Sequence, residues 1–363
     1  MTDLVELIYE AAFVPERWQF VLQKASSLSR AASAQVFFFS ENGPPHGMSL
    51  ENLRSLFDKF IKGDMWRFSD SVQKTCALQP ASFVPVDDYM SAEAIERDPA
   101  RVMLREFGIG AHLCSAIAMP TGELATFVFQ KWLKDGAFAQ EEIDRLDALR
   151  PHLARASLVS GRLRMERAEA TTSALELMGL PAVVLSASGR VMASNSYLTR
   201  MDAALLPVAH GGLAIADRDA NRLFQDAVTR MQQDETAIGS IPVPAIGGNA
   251  AFVVHLLPLR RAAHDMFGGA DTLVIATPIT PNALVPSASL LNALFDLTPT
   301  EAWVATDLAS GLTLAESARK HGVTTKSART YLERIFRKTG TRQQSQLVAM
   351  LKTVQPLISP PPD

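Results

Sequence analysis

The stretch that most constrains this chain lies near its C-terminus, from Leu297 to Leu351. It carries a dense series of helix starts and glycine stops. Thr298 precedes Pro299 and stands three residues before Glu301, the pattern of a capping box with proline at the first helical position. Ala302, Val304, Ala305 and Leu308 then supply an apolar side, and Gly311 ends the helix, because glycine tolerates the left-handed conformation that follows a helix. Thr313 is placed to cap a second helix over 314–321, and Gly322 makes the turn. Thr324 or Thr325 caps a third, running to about Lys338 and closed by Gly340. A fourth short helix around Leu347 completes an all-α module.

Helix, glycine turn and longer helix form the helix-turn-helix arrangement. In the third helix Lys326, Arg329, Thr330 and Glu333 follow i, i+3, i+4, i+7 spacing and share one face. Ala328, Leu332, Ile335 and Phe336 lie away from it, facing the other helices. Residues 296–353 hold nine Lys/Arg against five Asp/Glu, a net of +4, whereas the whole chain is −3, leaving −7 elsewhere. A basic module on an acidic body is the electrostatic footprint of a phosphate-binding unit. The competing expectation is a four-helix protein-interaction module with a solvated basic face.

The ordered set Leu297-Thr298-Pro299 with Glu301, Leu308, Gly311, Glu316, Ala318, Gly322-Val323, Arg329-Thr330, Leu332, Ile335-Phe336, Lys338, Gly340, Arg342 and Leu347 resembles the LuxR-type DNA-binding domain. Ser317 and Ala328 stand where that family usually has larger aliphatic residues, implying a slightly under-packed module. Glu333 occupies a face often basic or polar in the family. The resemblance implies a recognition helix with Lys326, Ser327, Arg329, Thr330, Glu333, Arg334, Arg337 and Lys338 at the DNA. Base edges would meet Arg329, Thr330 and Glu333, and phosphates would meet Lys326, Arg334, Arg337 and Lys338.

A length of 363 residues implies two to three domains, and 47% hydrophobic residues can build cores. Residues 1–160 mix helical faces (Leu4, Leu7, Ile8, Ala11; Leu53, Leu56, Phe57, Phe60) with strand runs at 34–40, 112–119 and 126–132. This implies an α+β sensor domain of the GAF or PAS sort, and its closing run from Phe138 to Ala156 resembles N-terminal regions of LuxR-type regulators. Leu146, Leu149, Leu153, Ala156, Ser160 and Leu163 alternate by three and four residues along a long helix. That seam suits equally a dimer contact or packing on its own domain. Pro151 is expected to kink the helix, and Arg162 to Arg167 to form exposed linker helix. Residues 161–280 hold the linker helix and a second α+β domain. Its strands at 182–186 and 190–194, its Asn195 and its later strands resemble a PAS domain. Prolines mark a linker over 281–293, the DNA-binding module spans 294–356, and 357–363 is an expected disordered tail.

Two widely separated cysteines, Cys76 and Cys114, argue for a reducing compartment without a disulfide framework. There is no basic secretory leader and no apolar run of membrane-spanning length, so a cytoplasmic protein is expected. No metal-ligand spacing, phosphate-binding loop or catalytic constellation assembles, so neither a cofactor nor an enzyme is expected. His112 and His255 read as satisfied strand histidines and Cys114 as core. Trp18, Trp66, Phe68 and Tyr89 are the candidate pocket aromatics. The expectation is a homodimeric, sequence-specific transcriptional regulator of double-stranded DNA, its sensor domains setting dimer geometry or DNA affinity. That leaves room for a small-molecule effector and for contact with RNA polymerase; the rival function is a scaffold that binds proteins instead of DNA.

Overall fold

The computed structural model describes residues 2–40, 44–208, 211–233, 238–246, 248, 250–259, 271–279 and 288–353. The chain divides into two compact units, the main break falling after Thr277. The larger unit is mixed α/β, with antiparallel sheets as expected.

It opens with α1 (Thr2–Phe13) and α2 (Trp18–Leu28), then β1 (Ser33–Phe39) and β2 (His46–Ser49). A helical run follows: α3 (Arg54–Lys62), α4 (Met65–Phe68) and α5 (Asp70–Leu78). Next come β3 (Val84–Pro85), α6 (Ala92–Arg97) and α7 (Pro99–Glu106), then β4 (Ile109–Ala118) and β5 (Leu124–Trp132). The strands pair antiparallel in the order β2-β1-β5-β4-β3. Because successive side chains alternate faces, the run Gln35-Val36-Phe37-Phe38 supplies both sides of the sheet. Val36, Phe38, Leu113, Phe127 and Phe129 face α1, α2 and the long helix α8 (Gln140–Leu177) in a large apolar core. Each fully buried aromatic there contributes about 1.5–3 kcal/mol of transfer free energy. Phe37, Cys114 and Val128 face the other way, toward α3 and α7. The sheet is therefore the middle of three layers.

α8 runs 38 residues without interruption, through Pro151, whose ring lies on the exposed side. It crosses the boundary expected at 160. Its seam is not left for a partner: Leu146, Leu149, Leu153 and Ala156 are buried in the first core, and the Ser160 hydroxyl donates to the Ala12 carbonyl at 3.1 Å. The exposed linker helix expected at 162–167 is exposed at Arg162, Glu166 and Arg167 but not at Arg164, which is only 6% exposed.

The second domain comprises β6 (Ala182–Leu185), β7 (Val191–Ser194), α9 (Ser196–Thr199), β8 (Leu205–Val208), β9 (Gly212–Ile215), α10 (Arg218–Gln233), β10 (Gly239–Val243), β11 (Phe252–Leu259) and β12 (Asp271–Pro278). Its five-stranded sheet has the order β10-β11-β12-β6-β7. Counting only the five strands of each sheet and reading this one from its β7 edge, the order is the same as in the first sheet. Ala168 of α8 packs with Ala182, Val184 and Leu273 of this sheet. Asn195 ties the end of α8 to the sheet. Its Oδ1 accepts from Ala182 N and Leu198 N, both at 3.1 Å, and its Nδ2 donates to Thr172 O and Leu180 O.

The smaller unit is helical: α11 (Ala288–Phe295), α12 (Pro299–Ala309), α13 (Leu314–Lys320), α14 (Thr325–Thr339) and α15 (Gln344–Thr353). The linker expected over 281–293 needs correction at its end. Residues 288–293 are helical, and Leu291 is fully buried with Leu308, Ile335 and Leu351. Residues 281–287 and the tail at 357–363 lie outside the described residues. Among the described residues no helix is long and apolar enough to cross a membrane.

Candidate functional site

Three capped helices position the basic surface. The Thr298 hydroxyl accepts from Glu301 N while Glu301 Oε2 accepts from Thr298 N at 2.9 Å. Thr313 and Glu316 repeat the device at α13, the backbone N–H of Thr313 donating to Glu316 at 2.8 Å. Thr324 caps α14 by accepting from Ser327 N at 3.1 Å. Gly340 ends α14 at φ 71°, a conformation that costs a residue with a Cβ. Between these stops, Ala328, Leu332 and Ile335 bury one side of α14.

The opposite side is exposed and carries Lys326, Arg329, Thr330, Glu333, Arg334 and Arg337. Lys326, Thr330, Glu333 and Arg337 fall in one stripe at spacings of four, three and four, flanked by Arg329 and Arg334. Ser327 is half-buried, its hydroxyl shared with Thr324 Oγ1 at 2.9 Å. Lys338 departs from its expected place at the phosphates. Its Nζ donates to Asp296 O at 2.6 Å and to Glu301 Oε2 at 2.8 Å, pinning α14 to the cap of α12. Burial raises the Glu301 pKa, but hydrogen bonds from Lys338 and Thr298 outweigh it and hold the carboxyl below its ordinary value.

Ser317 is not a packing defect. Its buried hydroxyl donates to Asp307 Oδ2 at 2.7 Å, and Lys320 and His321 reach the same carboxylate at 2.7 and 2.9 Å. Burial raises the Asp307 pKa, and these three hydrogen bonds lower it further than burial raises it. His321 also stacks on Trp303, with centroids 4.8 Å apart. This node joins α12 to α13. No short-range spacing announces it, so the sequence offered no signal for it.

A second candidate site lies inside the larger unit. On its α3–α7 side the first sheet lines a cavity of about 70 Å³, walled by Phe37, Phe57, Phe60, Met103 and Leu104. The expected pocket aromatics are elsewhere. Trp18 is fully buried on the opposite face against Phe127, with centroids 6.2 Å apart, and Phe68 is 72% exposed. Trp66 and Tyr89 pack at the edge of this core, Tyr89 sharing a 2.6 Å hydrogen bond with Thr75. Cys114, expected as core, is buried and does line the cavity; burial pushes its thiol up to about 12. His112 is not a satisfied strand histidine: it is buried at the cavity and its Nε2 has no partner. Burial, and then the charge of Arg101, hold it well below the ordinary histidine range, so it is neutral. His255, by contrast, shares Nδ1 with the Ser240 hydroxyl at 2.9 Å.

A buried ionic junction links the two sheets. Arg164 pairs with Asp271 of β12 at 2.5 Å and reaches Glu123, beside the β4–β5 turn, at 3.5 Å. Ser188 of the second domain donates to Glu123 at 3.4 Å. Gly122 in that turn has φ 77°, and a Cβ there would meet the Arg190 guanidinium at 3.0 Å. Among the described residues no group of three His, Cys, Asp or Glu could hold a metal ion.

No protein-family model matches the chain, and no curated protein matches it. Some solved structures are similar. The ligand-binding domain of VqsR from Pseudomonas aeruginosa aligns with 44% of this chain and 94% of its own length, at 15% identity and a TM-score of 0.37. The VqmA–ligand–DNA complex of Vibrio cholerae aligns over 51% and 86%, at 15% identity and a TM-score of 0.24. The DhaR(N)–DhaL complex of E. coli aligns over 75% and 87%, at 11% identity and a TM-score of 0.26. Likeness at this level carries no functional argument, so the reading rests on the chain's own geometry.

Proposed function

We propose that the chain is a sequence-specific DNA-binding transcriptional regulator, working by binding rather than catalysis, in the cytoplasm. One observation carries this. Lys326, Arg329, Arg334 and Arg337 stand exposed on α14 without an ion-pair partner among the described residues, on a module whose net charge is opposite to that of the remaining chain. Structural lysines in the same module are tied down: Lys320 to Asp307 and Lys338 to Glu301. Basic side chains left unpaired on a rigid, capped helix suit phosphate neutralisation.

The helix-turn-helix reading assigns α13 and α14 to the two motif helices, with α14 in the major groove. Arg329, Thr330 and Glu333 meet base edges, and Lys326, Ser327, Arg334 and Arg337 serve the backbone. Glu333 as an acceptor suits a cytosine amino group. The two sheet domains, read as sensors of the GAF or PAS sort, bias DNA binding through a homodimer that reads two half-sites. With the α8 seam buried in its own domain, the dimer contact lies on another surface.

The test is a selection from randomised duplexes with the full chain, followed by affinity across a salt series. Salt-sensitive binding to a recurrent sequence is expected. Arg337→Ala weakens all duplexes alike and lowers the salt slope by about 1, whereas Arg329→Ala costs about 1–3 kcal/mol and relaxes preference at one position. Absence of duplex binding even at low salt replaces this reading with the protein-scaffold one.

A further inference from the structure

The sheet face toward α3 and α7 breaks the usual rule that buried polar groups are satisfied. Arg101 Nη1, His112 Nε2, Thr126 Oγ1 and Gln130 Oε1 are buried without a hydrogen-bond partner, and all four residues line the same cavity. Their placement is systematic. His112 and Gln130 are directly paired across β4 and β5, and Thr126 lies on the same face of β5 four residues away. Arg101 enters from α7. Of the other polar residues on the wall, Ser71 and Thr75 are hydrogen-bonded, and apart from these and Gln35 the lining is apolar, with Phe37, Phe57 and Met103. A polar atom left buried and unpaired keeps its whole desolvation penalty, so a cluster of four is expensive for a fold that gains nothing from it.

We propose that this cavity is the effector site, and that it takes a small uncharged molecule carrying a carbonyl-type acceptor and an N–H or O–H donor on an apolar body. The proposal rests on the regulator reading only in naming the ligand an effector. The acceptor meets Arg101 Nη1, and the donor meets Gln130 Oε1, which can only accept. Charge decides the class. Arg101 already pairs through Nη2 with Asp87 at 2.6 Å, so an incoming anion would be a second negative partner for one buried guanidinium. A cation would be desolvated beside that guanidinium. A cavity of about 70 Å³ is roughly half the ~150 Å³ that holds benzene, so the body is compact.

The experiment uses full-length protein with methyl-labelled methionine and follows Met103 by NMR. The probe is acetamide; acetate, isopropylammonium and isobutane are its anionic, cationic and apolar counterparts. The amide is expected to shift Met103 in a saturable way, with the other three roughly tenfold weaker or silent. Thr126→Val and Gln130→Met each remove one orphaned atom. Both are expected to raise the Tm of the protein without probe, and Gln130→Met to weaken the amide about tenfold, the equivalent of one hydrogen bond. No response of Met103 to the amide, together with a lower Tm in both variants, overturns the proposal: the polar atoms then serve the fold, through bridging water. A stronger response to acetate overturns the uncharged class. Duplex binding is measured on the same preparations. Intact duplex binding without an amide response sinks the cavity proposal alone, and an amide response without duplex binding sinks the regulator reading alone.

Discussion

The larger unit contains the same strand order twice, and the two sheets treat buried polarity in opposite ways. In the second domain, Asn195 makes four hydrogen bonds to backbone groups, and Asp271 is matched by Arg164. Polarity there fastens elements together. In the first domain the sheet face toward α1, α2 and α8 pairs its polar side chains, Ser115 with Arg150 and Lys131 with Glu142, while the face toward α3 and α7 holds four polar atoms that fasten nothing. On the proposal above, one topology serves as a joint in one copy and as a vessel in the other, and side chains make the difference: Asn195 beyond β7 and Arg164 on α8 against His112, Thr126 and Gln130 on β4 and β5.

The largest test of that contrast is Arg164→Met. Removing the guanidinium takes the buried Arg164 ion pair from Asp271 and the Arg164 contact from Glu123, so a loss of about 3–5 kcal/mol is expected in urea denaturation. Adding Asp271→Leu to it should recover a large part of the loss, because an apolar pair of similar volume replaces a desolvated ion pair. If the single variant loses less than about 1 kcal/mol, the junction is not the joint described here.

Next in size is Asn195→Leu. It removes four side-chain hydrogen bonds, to Ala182, Leu198, Thr172 and Leu180, leaving the Leu198 N–H only its 3.2 Å bond to the residue 195 carbonyl, and about 3 kcal/mol should be lost. Asn195→Asp keeps the acceptor but turns a carboxylate oxygen toward two carbonyls, so it should be no better than leucine at neutral pH. Rescue by aspartate would show that only the accepting half of the node matters.

The acid response of the junction is smaller. Burial raises the Glu123 pKa, but His46 and Arg164, with hydrogen bonds from Thr121 and Ser188, outweigh it and hold the carboxyl below its ordinary value. Its folded pKa is therefore lower than its unfolded one. Glu123 contributes stability fully above the unfolded value of about 4.3, and that stability is lost as pH falls through the folded value. The gap in urea midpoint between the native protein and Glu123→Gln should narrow as pH drops from neutral into that range. A gap that stays constant would place the carboxylate's effect in packing rather than charge.

What could be read in advance follows the range of the interactions. Caps are local: Thr298, Thr313, Thr324 and Gly340 act within a few residues, so α12, α13 and α14 were legible nearly to the residue, whereas α11 was not. The strand runs of both domains were legible from alternation. Their shared order was not, because strand order is set by long-range pairing such as Ala34 with Phe129, which leaves no periodicity in the chain. The same holds for Arg164 and Lys338. Each looked like an exposed cation in a helix, and each found its carboxylate through tertiary packing, Asp271 at a separation of 107 residues and Glu301 at 37. The aromatic signal for a pocket pointed to Trp18 and Phe68, since a large ring announces burial but not which side of a sheet it occupies. Gln35, His112, Thr126 and Gln130 gave a better signal: polar residues at alternate positions of strands, on the face away from Val36, Leu113, Phe127 and Phe129.

The smallest effect discriminates best, because its sign is at issue. Thr126→Val removes a buried hydroxyl that has no partner and leaves a side chain of nearly the same shape. If the first sheet's inner face is built for a ligand, the substitution removes a desolvation cost, and the protein without probe gains about 1 kcal/mol. In the second sheet the comparable change, Asn195→Leu, carries the opposite sign. A protein that stores unsatisfied polarity at a binding site gives up stability for function, so stabilising substitutions should cluster there and weaken binding. Should Thr126→Val destabilise as Asn195→Leu does, the two sheets handle polarity alike, and the contrast between joint and vessel disappears.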